Sequence, residues 1–428
     1  MPRSLLAAYA FAVSMSKASS FAPHIKRSRH NNFSYDANRL KLSTSPGDVV
    51  SVLTQVPSPV LYPAIFATCF RIGAALAVIG QPRLPSDDTL YSDRQVGSKV
   101  IRLPGLGSRL RVFYPISDDY ANQISVNISS KSDCRYCTDG RATSDGMAGL
   151  VGFRQVGLSF LLAHLADAHS GCYIDEDDNT ANDSVLAFCK EGAPLLIYSH
   201  GYGGNMDMAT YFLRTIAKRG IVVAAIEHTD GTASSTVLPG DRRLDFDSSL
   251  FSLKDGLDRR AEELLEAVDF LPSLLPGFSG RIFLGGHSYG CPSALLASQR
   301  QRPWSSPKIA GLILHDPALS MGRGIQLPPK IPTVSYVSDE YNRGNIRCGD
   351  ATYHVQGAFH GNFVDAPLWA PLWVMRTLSV LIPACGPSDP EIVHRELAES
   401  ARAFCFGPEE NPVASKAVGS QSLFERVG

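Results

Sequence analysis

The stretch Arg281-Ile282-Phe283-Leu284-Gly285-Gly286-His287-Ser288-Tyr289-Gly290 decides the reading of this chain. Residues 282–284 are a short apolar run of the kind that fills a buried strand. The run enters Gly286-His287-Ser288-Tyr289-Gly290, a G-x-S-x-G pattern, and residues 291–300 continue as a helix. A strand passing into a helix through so tight a turn needs small flanking residues, because strand and helix nearly touch. The turn lifts its central serine clear of the sheet, so Ser288 is the candidate nucleophile. The five-residue pattern alone is weak, and an ordinary glycine-rich turn is its plain alternative. The strand–turn–helix setting is what gives it meaning.

Working outward from the turn, strands and helices alternate. PLLIYSHG (194–201), GIVVAAIEH (220–228), KIAGLILHD (308–316), IPTVSYVSDE (331–340) and ATYHVQG (351–357) read as strands. Residues 207–219 and 256–271 read as helices, the second with Leu257, Ala261, Leu264, Leu265 and Val268 at helical spacing. RLRVFY (109–114) reads as a first strand. This alternation predicts an α/β fold with a mostly parallel central sheet and helices on both faces.

A serine hydroxyl is a poor nucleophile until a base takes its proton. In the α/β-hydrolase fold the order along the chain is serine, acid, histidine. His360, in AFHGNF just past the last predicted strand, is the candidate base. His354 lies inside that strand and His394 in a later helix-like stretch, which suits packing better than catalysis. Two acids qualify by order, Asp316 and Asp339, each ending a predicted strand where catalytic loops emerge. Strand order alone does not choose between them. An oxyanion needs backbone N–H donors. Tyr289, after the nucleophile, supplies one, and the glycine-rich loop Ser199-His200-Gly201-Tyr202-Gly203-Gly204 supplies the other, with Tyr202 the candidate. A plain flexible turn is the alternative for that loop.

The segments IYSHGYGG, IVVAAIEHTDGTAS, GGHSYG, LILHDPAL and FHGNFVD, in this order, resemble the plasma-type platelet-activating factor acetylhydrolases, also called lipoprotein-associated phospholipase A2. RVFYP resembles a segment near the start of that family's domain. The resemblance runs from about 194 to 365 and leaves the N-terminal third and the cysteine-bearing region unsupported. It implies Ser288 as nucleophile, His360 as base and Asp316, in HDP, as the acid. It also implies Tyr202 and Tyr289 as oxyanion donors. The implied chemistry is calcium-independent release of short or oxidised sn-2 acyl groups from phospholipids through an acyl-Ser288 ester, with no cofactor and no metal. The elbow departs from the family at Cys291-Pro292, where a glycine and then small or apolar residues are usual, and this puts the pocket's shape in question. A broad carboxylesterase, or a cutinase- or dienelactone-hydrolase-like enzyme, is the second reading. A catalytically dead hydrolase serving as a binding module is the third, and the intact Ser288, Asp316 and His360 argue against it.

Composition sets the outer bounds. The chain has 428 residues, 44% hydrophobic and 19% charged, with a formal net charge of −1. That suits a globular protein with a sizeable core and carries no basic excess for nucleic acid. Nine cysteines cannot all pair. Cys134, Cys137, Cys172 and Cys189 cluster in sequence, and local disulfides are favoured over a four-cysteine zinc site or free thiols. The acidic run at 175–178 lacks calcium-loop spacing and reads as a solvated loop.

Residues 1–20 read as a signal peptide, and the basic segment 21–45 as transit-peptide-like. The junction Ala18-Ser19-Ser20-Phe21-Ala22-Pro23 resembles the "ASAFAP" junction of heterokont algae and implies a plastid destination. Secretion is the alternative, which N-x-S sites at Asn32, Asn127 and Asn182 would fit. Residues 46–98 read as an apolar helix-like stretch, at 60–80, and a linker. Arg71 in mid-stretch favours a packed or interfacial helix over a membrane span. The hydrolase domain is expected over 99–405, with a cysteine-bearing insertion at 117–193 and a helix-like piece at 155–167, then a flexible tail over 406–428. The partners expected are an ester or phospholipid substrate and a lipid surface, for which Leu368-Trp369, Leu372-Trp373 and the 60–80 stretch are candidate contacts, with core packing the equal alternative.

Overall fold

The computed structural model describes residues 96–117, 133–154, 157–173, 189–247, 253–379, 384–407 and 423–428. The leader, the 60–80 stretch, the three N-x-S sites and the acidic run at 175–178 lie outside these residues. The N-terminal part holds β1 (Val96–Arg102), β2 (Arg109–Pro115), β3 (Asp133–Arg135), α1 (Arg141–Leu150) and β4 (His169–Tyr173). Then come β5 (Leu195–Ser199), α2 (Thr210–Ala217), β6 (Val222–Glu227), β7 (Ser235–Val237), β8 (Arg243–Asp245) and α3 (Leu253–Phe270). The C-terminal part holds β9 (Ile282–His287), α4 (Gly290–Arg300), β10 (Ile309–His315), β11 (Thr333–Val337) and α5 (Asp339–Arg343). It ends with β12 (Ala351–Val355), α6 (Leu372–Leu378), α7 (Pro390–Phe406) and β13 (Phe424–Arg426).

Among the described residues one sheet has the order β13-β12-β11-β10-β9-β5-β6-β2-β1-β4-β3, and β7 pairs with β8 apart from it. The run β6-β5-β9-β10-β11-β12 is parallel throughout. Antiparallel neighbours flank it, β2 on β6 and β13 on β12. This is the expected α/β-hydrolase fold. Its cause is visible in β5, where every residue is buried. Leu195 and Ile197 enter one apolar core with Leu264, Val268 and Leu295 of α3 and α4. Leu196 and Tyr198 enter a second with Phe212, Leu213 and Leu397 of α2 and α7. Side chains alternate along a strand, so a wholly apolar strand requires apolar layers on both faces. Each fully buried Leu contributes roughly 1.5–3 kcal/mol relative to exposure.

Several boundaries differ from expectation. Among the described residues the first strand is β1, not the RLRVFY strand, and it takes residues 96–98 from the expected linker. β1 pairs with β2 along its whole length, Val96↔Pro115 to Arg102↔Arg109. Its sequence, VGSKVIR, has a burial pattern too mixed to announce a strand. Within the insertion, β3 and β4 extend the sheet edge, and the helix-like piece is a 3₁₀ segment, Ser159–Ala166. The expected flexible tail ends instead in β13, with Tyr353↔Arg426 and Val355↔Phe424 in register. Three residues are too few to show alternation, and pairing with β12 is what makes them a strand.

The favoured disulfides are also corrected. All eight described cysteines are buried free thiols. Cys134 lies 3.2 Å from the Arg111 guanidinium, and Cys137 packs with Met147 and Leu165 in a third apolar cluster. No described helix is long and apolar enough to cross a membrane. Leu368 and Trp369 are buried in that third cluster, so only Trp373 of the two tryptophans is exposed.

Phe424 packs on Tyr336, with ring centroids 5.4 Å apart, and tilts against Tyr353. Phe424→Ala is therefore expected to cost about 1–2 kcal/mol in urea unfolding. An unchanged stability would contradict β13 as a working edge strand.

Candidate active site

The elbow is built by close approach. A Cβ on Gly290 would lie 2.0 Å from the carbonyl oxygen of Ser199, and one on Gly286 would lie 2.5 Å from the Gly290 backbone. Only glycine lets α4 sit this near β5 and β9. The chain then turns at Ser288 with φ +54°, a left-handed value that a side chain makes costly. The turn is held by Ser288 N–H to the His315 carbonyl at 2.9 Å and by Ala318 N–H to the Ser288 carbonyl at 3.2 Å.

Asp316 follows β10 as Ser288 follows β9, and it too is left-handed, with φ +47°. Its carboxylate is fully buried and both oxygens are used. Oδ1 accepts the Ser338 N–H at 2.6 Å, and Oδ2 lies 2.8 Å from His360 Nδ1. A carboxylate only accepts, so Nδ1 carries the proton and Nε2 is left with a lone pair. The His360 side chain is 21% exposed, so a substrate can reach it. His360 begins a 3₁₀ turn, His360–Phe363, after β12. Its ring lies 4.4 Å from that of His287, whose Nε2 is 3.2 Å from the His360 carbonyl oxygen. Burial, and then the neighbouring His360, push His287 well below the usual histidine range, so it stays neutral. Tyr341 spans the other side. Its side chain reaches toward Ser288, and its ring lies flat on His360 with centroids 5.2 Å apart and planes 5° apart.

The loop after β5 closes on the same point. A Cβ on Gly201 would sit 3.1 Å from that of Ser288. Tyr202 and Tyr289 meet edge to face at 6.4 Å. Arg260, from α3, ties the two loops together. Its Nη1 donates to the His200 carbonyl at 2.7 Å, and its guanidinium lies 4.7 Å from the centre of the Tyr289 ring. Asp230 pairs with Arg260 Nε at 2.8 Å. Burial pushes the Asp230 carboxyl up, but Arg260, His228 and the Thr232 hydrogen bond together outweigh it and bring it to about 2.

Nearby, Ser199 Oγ lies 2.7 Å from His228 Nε2, and His228 Nδ1 lies 2.6 Å from Glu263 Oε2. This chain repeats the serine–histidine–acid bonding order. All three residues are fully buried, so it braces β5, β6 and α3 and offers no access to substrate.

The other sequence candidates go elsewhere. Asp339 Oδ1 lies 2.7 Å from His354 Nε2 and accepts the Gly357 N–H at 3.1 Å, away from His360. His394 is buried, with Nε2 3.0 Å from the Asn362 carbonyl. Cys291 turns away from the elbow's open side into the core, its thiol donating to the carbonyl of Gly286 at 3.1 Å. Four positioning groups escaped the sequence reading: His287, Tyr341, Arg260 and Asp365. Asp365 accepts the Tyr211 and Phe212 N–H groups at 2.8 and 3.1 Å and so docks the His360 segment on α2. Asp365 was legible only as part of FHGNFVD. Among the described residues no group of three or more His, Cys, Asp or Glu is arranged to hold a metal.

Residues 98–248 match the family model "Platelet-activating factor acetylhydrolase, isoform II". That description agrees with the resemblance read from the sequence motifs. The match reaches back through the cysteine-bearing region, which the motifs had left unsupported. A Bos taurus platelet-activating factor acetylhydrolase is 28% identical over 183 residues, 42% of this chain and 36% of that protein. The chain thus spans little more than a third of that curated relative. A ferulic acid esterase from Streptomyces cinnamoneus superposes with a TM-score of 0.54 at 17% identity, over 80% of this chain and 98% of that one. At that identity the likeness speaks to the α/β-hydrolase fold alone.

Two measurements test the arrangement. Asp316→Asn is expected to lower kcat by about 10⁴-fold, as when a histidine loses its orienting acid, and Asp339→Asn by about 10-fold or less. Equal losses would contradict the assignment. Asp230 titrates lower folded than its ordinary 3.8, so its stabilising contribution is whole above that value and is lost as pH falls through about 2. The contribution is about 2 kcal/mol. The stability gap between wild type and Asp230→Asn should therefore narrow between pH 4 and pH 2 in urea titrations, and a constant gap would contradict the pairing.

Proposed function

We propose that this protein is a serine-dependent carboxylic ester hydrolase that releases short or oxidised sn-2 acyl groups from phospholipids. The carrying observation is the Asp316–His360 bond set beside a left-handed Ser288 at the C-terminal edge of the parallel strands. In this reading Ser288 Oγ attacks the ester carbonyl and its proton passes to His360 Nε2. Asp316 holds the imidazole and stabilises the imidazolium. The Tyr202 and Tyr289 N–H groups face the developing oxyanion. The imidazolium then gives its proton to the departing alcohol, leaving an acyl-Ser288 ester. Water, deprotonated by His360, attacks that ester and frees the acid.

The lipid part of the proposal draws on the acetylhydrolase family match over residues 98–248 and on the Bos taurus relative. The exposed Trp373 supports contact with a lipid surface, since an amphipathic indole suits that boundary.

The test is hydrolysis of phosphatidylcholines with sn-2 chains graded from acetyl to palmitoyl, beside p-nitrophenyl esters. We expect the sn-2 acetyl lipid to exceed the palmitoyl lipid by about 10-fold or more in kcat/KM, a gap of about 1.4 kcal/mol. Ser288→Ala should lose about 10⁴-fold or more on every substrate. Turnover of simple esters alone would overturn the phospholipid assignment and leave a carboxylesterase.

A further inference from the structure

The Tyr341 ring lies on the proposed base, 5.2 Å between centroids, and its side chain reaches toward the proposed nucleophile. The contact is held by several bonds. Ser338, which begins α5, donates its N–H to Asp316 Oδ1 at 2.6 Å and accepts the Tyr341 N–H on its side chain at 3.4 Å. Asp339 N–H donates to the Ala358 carbonyl at 2.9 Å, and Asp339 Oδ1 accepts the Gly357 N–H at 3.1 Å. The carboxylate that orients His360 through one oxygen therefore fixes the helix carrying Tyr341 through the other. The strand-end acid that orients no histidine base ties that helix to the loop leading to His360.

We infer that Tyr341 is a leaving-group donor, its hydroxyl hydrogen-bonding the alcohol oxygen as the ester bond breaks. The inference rests on the reading of Ser288 as the acylated residue. Once Ser288 Oγ has bonded the carbonyl carbon, two further oxygens surround that carbon. One is the oxyanion, on the side of the Tyr202 and Tyr289 backbone. The other is the alcohol oxygen, which must face His360 to be protonated, and this is the side that Tyr341 occupies. As the carbon–oxygen bond breaks, its electron pair stays on the alcohol oxygen. The proton comes from His360 Nε2, and Tyr341 keeps its own. Burial, and then the nearby Asp316, push the phenol well above its ordinary ionisation, so it remains a neutral donor. Such a donor matters most when the departing oxygen is basic, as in a glycerol ester, and least when it is a nitrophenolate.

Tyr341→Phe keeps the ring on His360 and removes only the hydroxyl. Wild type and variant are compared on a series of acetate esters, from p-nitrophenyl acetate through less activated aryl acetates to an sn-2 acetyl glycerophospholipid. The expected result is a loss on the order of 10²-fold in kcat/KM for the glycerophospholipid, less than about 3-fold for p-nitrophenyl acetate, and a steeper dependence on leaving-group basicity between. Because the readout is a ratio between substrates, a partly folded variant still reports it. A uniform loss across the series, or no loss at all, overturns the inference. Ser288→Ala on the same esters separates the two readings. If it retains activity, the nucleophile reading itself fails, whereas full loss in Ser288→Ala with a uniform loss in Tyr341→Phe sinks the donor role alone.

Discussion

At Gly290 the first turn of α4 comes so near the Ser199 carbonyl that no side chain fits between them. That steric limit organises the site. It forces the turn after β9 into the left-handed conformation at Ser288 and presses the end of β5 against the elbow. The loop after β5 and the serine are therefore neighbours because the backbones touch. Left-handed backbone at a residue with a side chain costs of order 1–3 kcal/mol. Ser288 and Asp316 both bear it, and flanking backbone hydrogen bonds hold each one in place.

The second organising group is the Asp316 carboxylate. Fully buried, it satisfies its two oxygens on Ser338 N–H and His360 Nδ1. One acid thus fixes the histidine tautomer and the start of α5, and α5 delivers Tyr341 to the serine. Arg260 plays the matching part across the site, joining the His200 loop to the Tyr289 ring. Its own charge is balanced by Asp230, which keeps a buried cation beside the Tyr289 ring tolerable.

The elbow was legible because glycine spacing and strand–helix alternation are both written locally. The parallel sheet was legible for the same reason, since β5, β6, β9 and β10 are continuous apolar runs. The choice of Asp316 over Asp339 was not settled by residue order. It turned on which strand-end acid faces the loop of His360, a matter of tertiary placement that only the family resemblance anticipated. Tyr341, Arg260 and His287 carry no motif, and their importance lies in what they touch. β1 and β13 were missed because a mixed or three-residue strand is specified by its partner more than by its own pattern. The cysteines misled because spacing says nothing of whether a thiol faces a partner or a packed core.

The most direct test of the account is the site of covalent capture. Wild-type protein is treated with a fluorophosphonate, and the adduct is located by intact mass and peptide mapping. The account predicts a single adduct on Ser288, absent from Ser288→Ala and formed far more slowly in Asp316→Asn. No adduct on the wild type, or an adduct that survives in Ser288→Ala, would contradict it.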